Sequence, residues 1–492
     1  MTLYILGLDG ASLNTIEETS SRTRLPNFEK LFVEGSFSEL RSVYPYVTAP
    51  AWTTIFSGVN PGKHGVFEMF KVSNTGLTPS NMTSSDIPFL WDYLTWANKK
   101  TLAVGIPFFY PAPKIKGAFI SGRFCPSASF FPSSLGEKFD LSPFEYDHLS
   151  MEEKTLKLVS NPEESVSSKI LEDLRKRVDT MMRLVDSDSW DCAILIEGLP
   201  DDLLHVAYGT NEVVDEMYRE LDRFVGLILS RLRNPGDALM IISDHGFRHI
   251  ERVLYLNEWL RQKGYAKYQA SKLARLLLSL GVSWDTLSSR GMVSKIFAFL
   301  VKHFPRALEK TGDTLRSGML ADQSAKFGSS QVSVFSINEP LAWLRISEPS
   351  KTVVSVDALV DELAELKETG ILKKVFKTSE IYSGRHTREA PGEILVEAAD
   401  GWSIDTLRWN NKRLTGKPLF TKKGVHQREG VVFFYGNAGD GKSINFSSAK
   451  IHDVVPTVLS FFKLPLPRNL DGVSLIASTE IKTEERPKVL AK

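Results

Sequence analysis

The sequence predicts an α/β fold, with a mostly parallel central sheet, helices on both faces and a helical cap insertion. Three observations lead there. Short apolar runs rich in Val, Ile, Leu and Phe recur, each followed by a polar or Gly-containing loop and then by a helical pattern. Between two of these runs, Val213, Val214, Met217, Tyr218, Leu221, Phe224, Val225 and Ile228 are spaced by threes and fours, with charged residues between them. That spacing describes an amphipathic helix of the kind parallel strands need as a crossover. Finally, 42% apolar, 10% aromatic and 24% charged residues place the 492-residue chain among globular proteins, so packed structure is expected nearly end to end.

The clearest buried strands are expected over residues 3–8, 101–106, 193–196 and 238–242, where apolar residues run without alternation, as in a sheet covered on both faces. Residues 251–330 differ. They hold 13 Lys or Arg against 6 Asp or Glu, so that stretch stands near +7 while the rest of the chain stands near −6. Leu-rich and Phe-rich segments among those basic residues predict a helical insertion. A strand pair over Val332–Phe335 and Leu341–Ile346 should resume the core, followed by a helix over 353–366, strands over 392–398 and 431–435, and a helix over 451–462. The expected organisation is thus a catalytic core in two parts, 1–250 and 331–475, interrupted by a basic helical cap at 251–330 and ending in a charged tail at 476–492.

Composition excludes several classes. A formal net charge of +1 argues against a protein that binds nucleic acid over its whole surface. Two cysteines, Cys125 and Cys192, are too few for a disulfide scaffold and lack zinc-finger spacing, which suits a reducing compartment. The N-terminus lacks the basic and long apolar regions of a signal peptide, and no apolar run reaches the roughly 18 residues of a membrane span. A cytoplasmic protein is expected.

Carboxylates and histidines fall at strand ends. Asp9 ends the first strand, Asp201 and His205 follow the strand near Glu197, and Asp244 with His245 closes the strand at 238–242. Alone, each such Asp more often caps a turn or helix. In open α/β sheets, however, ligands gather beyond the carboxyl ends of the strands, so these groups can converge. Asp201 and His205 stand at i and i+4, which on a helix brings side chains within about 5 to 6 Å. Imidazole with carboxylate suits Zn²⁺ or Mn²⁺ better than Ca²⁺. In SVYPYVTAPAWTTIFSGVNPGKHGVF, a helix is expected to begin at Ala49 or Pro50 and to place the Thr48 hydroxyl at or near its N-cap. Such a hydroxyl is either a simple cap or a nucleophile beside free amides.

Taken together, GLDG at 7–10, YPYVTAPAWTTIFSGVNPGKHG at 44–65, PDDLLH at 200–205, SDHGF at 243–247 and GVH at 424–426 resemble the type I phosphodiesterase/nucleotide pyrophosphatase branch of the alkaline phosphatase superfamily. The resemblance implies an alkaline phosphatase-like fold and two metal sites about 4 Å apart. Carried over by position, Asp9, Thr48, Asp244 and His245 would surround one ion, and Asp201, His205 and His426 the other. The implied ions are two divalent transition metals, Zn²⁺ first and Mn²⁺ as the alternative. Thr48 would be the nucleophile, passing through a phosphothreonine on a small phosphorylated substrate.

Two departures stand out. Where relatives often carry an Asn that donates to phosphate, this chain has Met69, so the donor would be the Ala49 amide, Lys63 or Arg123. Leu204 replaces the Gly that often precedes the histidine. His64 is expected to be a structural loop residue. The alternatives are a phosphotransferase or mutase using the same phosphothreonine and, from GNAGDGKS at 436–443, a P-loop nucleotide-binding protein. The P-loop reading is disfavoured because SINFSSAK does not read as the required helix. The basic stretch at 265–325 could shelter an anionic substrate or touch an anionic membrane surface. The sequence leaves the oligomeric state open.

Overall fold

A computed structural model of the chain describes residues 1–73, 76–144, 165–209, 211–266, 331–335, 340–347, 354–406, 413–418, 423–437 and 444–476. In chain order the first strands are β1 Leu3–Leu8, β2 Ser36–Arg41, the hairpin β3 Phe70–Ser73 with β4 Gly76–Pro79, β5 Thr101–Ile106, β6 Gly117–Ser121 and β7 Phe130–Phe131. Then come β8 Cys192–Glu197, β9 Ala238–Ile242, β10 Gly246–Tyr255, β11 Val332–Phe335, β12 Leu341–Ile346, β13 Leu372–Lys377 and β14 Ile394–Ala398. The last are β15 Gly401–Asp405, β16 Thr415–Gly416, β17 Gly424–Gln427 and β18 Glu429–Gly436.

Eight strands form the central sheet in the order β2-β18-β9-β1-β8-β5-β6-β7. Its middle, β9-β1-β8-β5-β6, is parallel, while β18, β2 and β7 join the flanks antiparallel. The four expected strands are all present, and β1, β5, β8 and β9 are buried at every position. The cause is helical cover on both faces. On one face, β-strand residues such as Ile5, Ile194 and Met240 pack with Trp52 and Ile55 of the helix Thr48–Ser57 and with the helix Val454–Phe461. On the other, Leu6, Leu195 and Ile241 meet the helices Leu13–Arg22, Ser165–Asp186 and Asn211–Leu229. The last of these is the expected amphipathic crossover.

Two expectations are corrected here. The strands β11 and β12 do pair antiparallel, but they do not rejoin the central sheet. They form a separate sheet in the order β11-β12-β14-β13, covered by the helix Val356–Glu368. This sheet has a core of its own, built from Leu344, Val396, Leu359 and Leu363. Period alone does not say which sheet an apolar strand enters. The basic stretch also does not begin as an insertion at residue 251, because β10 continues to Tyr255. The helix Leu256–Gln262 then packs Trp259 and Leu260 into the second core. Residues 267–330, the remainder of the expected cap, lie outside the described residues, as does most of the charged tail. Among the described residues, no helix is long and apolar enough to cross a membrane.

Candidate active site

Topology explains why residues scattered in sequence meet. Strands β9, β1 and β8 are neighbours and parallel, with Leu8 opposite Glu197 and Gly7 opposite Ile242. Their carboxyl ends therefore open on one edge, and the residues that follow them share a crevice. Asp9 leaves β1, with its amide donating to the Glu197 carbonyl at 3.0 Å. At Gly10 the backbone takes φ of +76°, where a Cβ would also meet the Phe247 ring at 2.7 Å, so this turn requires glycine. The Gly10 amide donates to Asp244 Oδ1 at 3.2 Å. Asp201 and His205 sit one turn apart on the helix Leu199–Ala207. His426 arrives on β17, which pairs antiparallel with β10 and sets His426 opposite Phe247.

Two clusters of ligand atoms result. Asp9, Asp244 and His245 offer atoms within 4.8 Å of one another, all buried. His245 Nε2 lies 3.2 Å from Asp244 Oδ2 and 3.6 Å from Asp9 Oδ1. Each of these three atoms is buried without a hydrogen-bond partner, which is costly for carboxylates unless a cation joins them. In the second cluster, His426 Nε2 lies 3.0 Å from both Asp201 Oδ1 and His205 Nε2, and His205 Nε2 is 3.5 Å from Asp201 Oδ1. Asp201, His245 and His426 also fall within 4.8 Å, so His245 stands between the clusters. Its ring stacks on His426 at 3.8 Å between centroids. His426 Nδ1 is 3.1 Å from the Tyr46 carbonyl, which can accept only a proton donor, so a neutral His426 turns the Nε2 lone pair toward the carboxylate. A cation between them relieves that opposition.

The electrostatics agree. Burial, followed by the charges of Asp244 and Asp201, holds Asp9 well above the usual carboxylate range. Burial, with Asp201 beside it, pushes Asp244 up to about 7. At Asp201 burial acts in the same direction, but His205 and His426 outweigh it and keep the carboxyl well below its ordinary value. Burial and the nearby His426 hold His245 far below the normal imidazole range. Protons thus partly replace the positive charge the carboxylates need, and the mixed N and O donors suit Zn²⁺ or Mn²⁺.

Thr48 is buried, and the helix begins at Thr48 itself with Val47 at the N-cap, one residue earlier than expected. Pro50 therefore occupies the third helical position, where its missing N–H costs nothing. The segment is tied to both clusters: Tyr46, two residues before Thr48, accepts from His426, and Trp52, one turn after it, donates Nε1–H to Asp9 Oδ2 at 3.3 Å. Ala49 follows Thr48 in the first turn and is buried. Arg123 is buried among Asp9, Asp201 and Asp202. Lys63 is elsewhere. It pairs with Asp471 and donates to the Asn469 carbonyl, beyond Gly58 at the far end of the ten-residue helix, about 15 Å from Thr48. Its ion pair fastens the helix C-terminus to the 469–471 loop. His64 is buried and structural, with Thr54 Oγ1 at 3.0 Å from Nε2 and the Val66 amide donating to Nδ1. Met69 packs against the apolar core on one face of the central sheet, and Leu204 is buried in the core on the other. Sequence reasoning missed Trp52, which its i+4 spacing from Thr48 could have flagged, and the Tyr46 carbonyl, for which a backbone atom leaves no signal.

The P-loop alternative fails on topology. β18 runs antiparallel to β9, and residues 444–450 form a bridge and a turn instead of a helix. Residues 438–443 lie outside the described residues.

A family model for type I phosphodiesterase/nucleotide pyrophosphatase matches residues 3–430. A search of curated proteins finds no match. Among solved structures, phosphonoacetate hydrolase from Sinorhizobium meliloti 1021, in complex with phosphonoacetate, aligns with a TM-score of 0.54 at 12% identity, covering 94% of each chain. Murine ectonucleotide pyrophosphatase/phosphodiesterase 5 aligns with a TM-score of 0.50 at 13% identity, covering 97% of this chain and 100% of that one. The same murine protein, in a form described as inactive through a threonine-to-alanine substitution and in complex with AMP, aligns equally well. At these identities the solved structures establish a shared fold. The chain belongs to the type I phosphodiesterase/nucleotide pyrophosphatase family and is a hydrolase of phosphate ester bonds.

Proposed function

We propose that the protein is a two-metal phosphohydrolase that uses Thr48 as nucleophile on a phosphodiester, pyrophosphate or phosphomonoester of a small organic molecule. The observation that carries this is the pair of adjoining ligand clusters, one of which leaves Asp9 Oδ1, Asp244 Oδ2 and His245 Nε2 without partners. Asp9, Asp244 and His245, with Thr48, would hold one ion, and Asp201, His205 and His426 the other. Two divalent cations, when bound, supply charge that offsets the phosphoryl oxygens and lowers the pKa of bound oxygens.

The chain's own residues do the rest. The Thr48 hydroxyl gives up its proton as Oγ1 attacks phosphorus, an Oγ1–P bond forms, the bond to the leaving oxygen breaks and that oxygen takes up a proton in its place, so none is gained or lost overall. Water then cleaves the Oγ1–P bond and restores the hydroxyl. Trp52 and the Tyr46 carbonyl tie the segment that carries Thr48 to Asp9 and His426, which supports a nucleophile with little orientational freedom to lose in the reaction. The Ala49 amide, free in the first helical turn, is placed to receive a phosphate oxygen. The murine relative inactivated by a threonine-to-alanine change, in complex with AMP, supports both the nucleophile and a small phosphorylated ligand.

Purified protein supplied with Zn²⁺ or Mn²⁺ should hydrolyse bis-p-nitrophenyl phosphate, and Thr48→Ala should abolish turnover while retaining the metals. Unchanged turnover in the variant contradicts the assignment. The basic stretch at 265–325 is proposed to act in substrate choice or in contact with an anionic membrane surface. Salt-sensitive sedimentation of the full chain with anionic vesicles, lost on deleting 265–325, is the expected outcome for membrane contact. Equal sedimentation of both proteins removes that role.

A further inference from the structure

Arg123 follows β6 and reaches both ligand clusters. Its guanidinium faces one carboxylate of each ligand cluster. Nη1 is 3.8 Å from Asp9 Oδ2 and Nη2 is 3.6 Å from Asp201 Oδ2. In both aspartates this is the oxygen turned away from the histidines, because His245 lies nearest Asp9 through Oδ1 and His426 nearest Asp201 through Oδ1. Trp52 donates to the same outer oxygen of Asp9. The outer oxygens therefore face nitrogen donors, with a hydrogen bond from Trp52 at Asp9 and the Arg123 charge beside both, while the inner ones face the places where metal would sit.

The arginine is itself fixed. Nη2 pairs with Asp202, Nη1 donates to the Gly198 carbonyl at 2.8 Å, and the guanidinium lies 4.8 Å from the Phe124 ring centroid. Gly198 is part of this seat. A Cβ there would meet Arg123 Cδ at 2.4 Å and Nη1 at 2.6 Å, although the Gly198 backbone, at φ −100°, would accept alanine without strain. Alanine at 198 thus shifts Arg123 without removing it.

We infer that Arg123 is a positioning residue that bridges the outer oxygens of Asp9 and Asp201 and so sets how the two metal sites face each other. Only a planar fork with several donors can span both carboxylates. Lysine offers a point charge on a flexible stem and cannot. Outer partners of metal ligands typically change metal affinity by about 10- to 100-fold when removed. The inference rests on the two-metal reading, and the test separates them.

Zn²⁺ binding to the metal-free full chain is titrated by calorimetry and counted by elemental analysis for wild type, Arg123→Met, Arg123→Lys and Gly198→Ala, with circular dichroism as the control for folding. The expected result is two ions in wild type, affinity about tenfold or more weaker at both sites in Arg123→Met, only partial recovery in Arg123→Lys, and a weakening in Gly198→Ala although its arginine is intact. A guanidinium that merely repels metal predicts the reverse, so tighter or unchanged binding in Arg123→Met overturns the inference. If Arg123→Met does not fold, Gly198→Ala alone decides, with unchanged affinity overturning it. Wild type that binds fewer than two ions removes the two-metal reading itself.

Discussion

At the scale of single residues, the site is a set of unpaid charges. Asp9 and Asp244 retain protons to higher pH than they would in an unfolded chain, because burial opposes ionisation of both, helped by the charges of Asp244 and Asp201 at Asp9 and of Asp201 at Asp244. Between the ordinary carboxylate pKa and about 7, these two carboxyls bind more protons in the folded metal-free protein than in the unfolded chain, so their own contribution to stability falls as pH rises through that window, against the opposite contribution of buried histidines such as His245. Urea denaturation with a chelator present should therefore show, between about pH 5 and about pH 7.5, a midpoint that drops relative to that of Asp244→Asn. With Zn²⁺ in place of the chelator the drop should shrink or reverse, since the ion replaces the protons and binds better as they leave. Identical pH profiles with and without Zn²⁺ would remove the carboxylate cluster as a metal site. Most of these residues were legible in the sequence because strand-end Asp and His at the edges of apolar runs are a visible pattern. His426 was not, since only its match to the family's GVH raised it above an ordinary loop histidine. For Lys63, closeness in sequence to Thr48 hides a whole helix of separation.

At the scale of elements, the buried strands and their crossover helices announce themselves through unbroken apolar runs and 3.6-residue spacing. What the pattern does not carry is sheet membership. β11, β12 and β14 look like further core strands, yet they pair among themselves because they face their own helix. The element that positions Asp201 depends on one interior ion pair. Arg177, from the helix Ser165–Asp186, grips Glu197 at the end of β8 with Nε and Nη2 at 2.9 and 2.7 Å, and Glu197 in turn accepts from the Leu199 amide that starts the next helix. Arg177→Met leaves the Glu197 carboxylate buried and short of its cation, a loss on the order of 3 to 5 kcal/mol. Chemical denaturation should report that loss, and the double variant Arg177→Met/Glu197→Leu should recover much of it. A single variant as stable as wild type would show that the pair does not anchor β8.

At the scale of the whole molecule, two cores are joined at the nucleophile segment. Tyr44 and Tyr46 donate from that segment to Glu397 of β14 at 3.0 and 3.1 Å, and Tyr46 and Trp343 share an apolar cluster with Tyr382 and Leu395. The second sheet thereby braces the stretch that carries Thr48 and the carbonyl that orients His426. The measurement that bears most directly on the two-metal account is anomalous diffraction at the zinc edge from crystals grown with Zn²⁺. Two peaks are expected, one among Asp9, Asp244 and His245 and the other among Asp201, His205 and His426, with Thr48 Oγ1 bordering the first. A single peak, or peaks away from these residues, would contradict it.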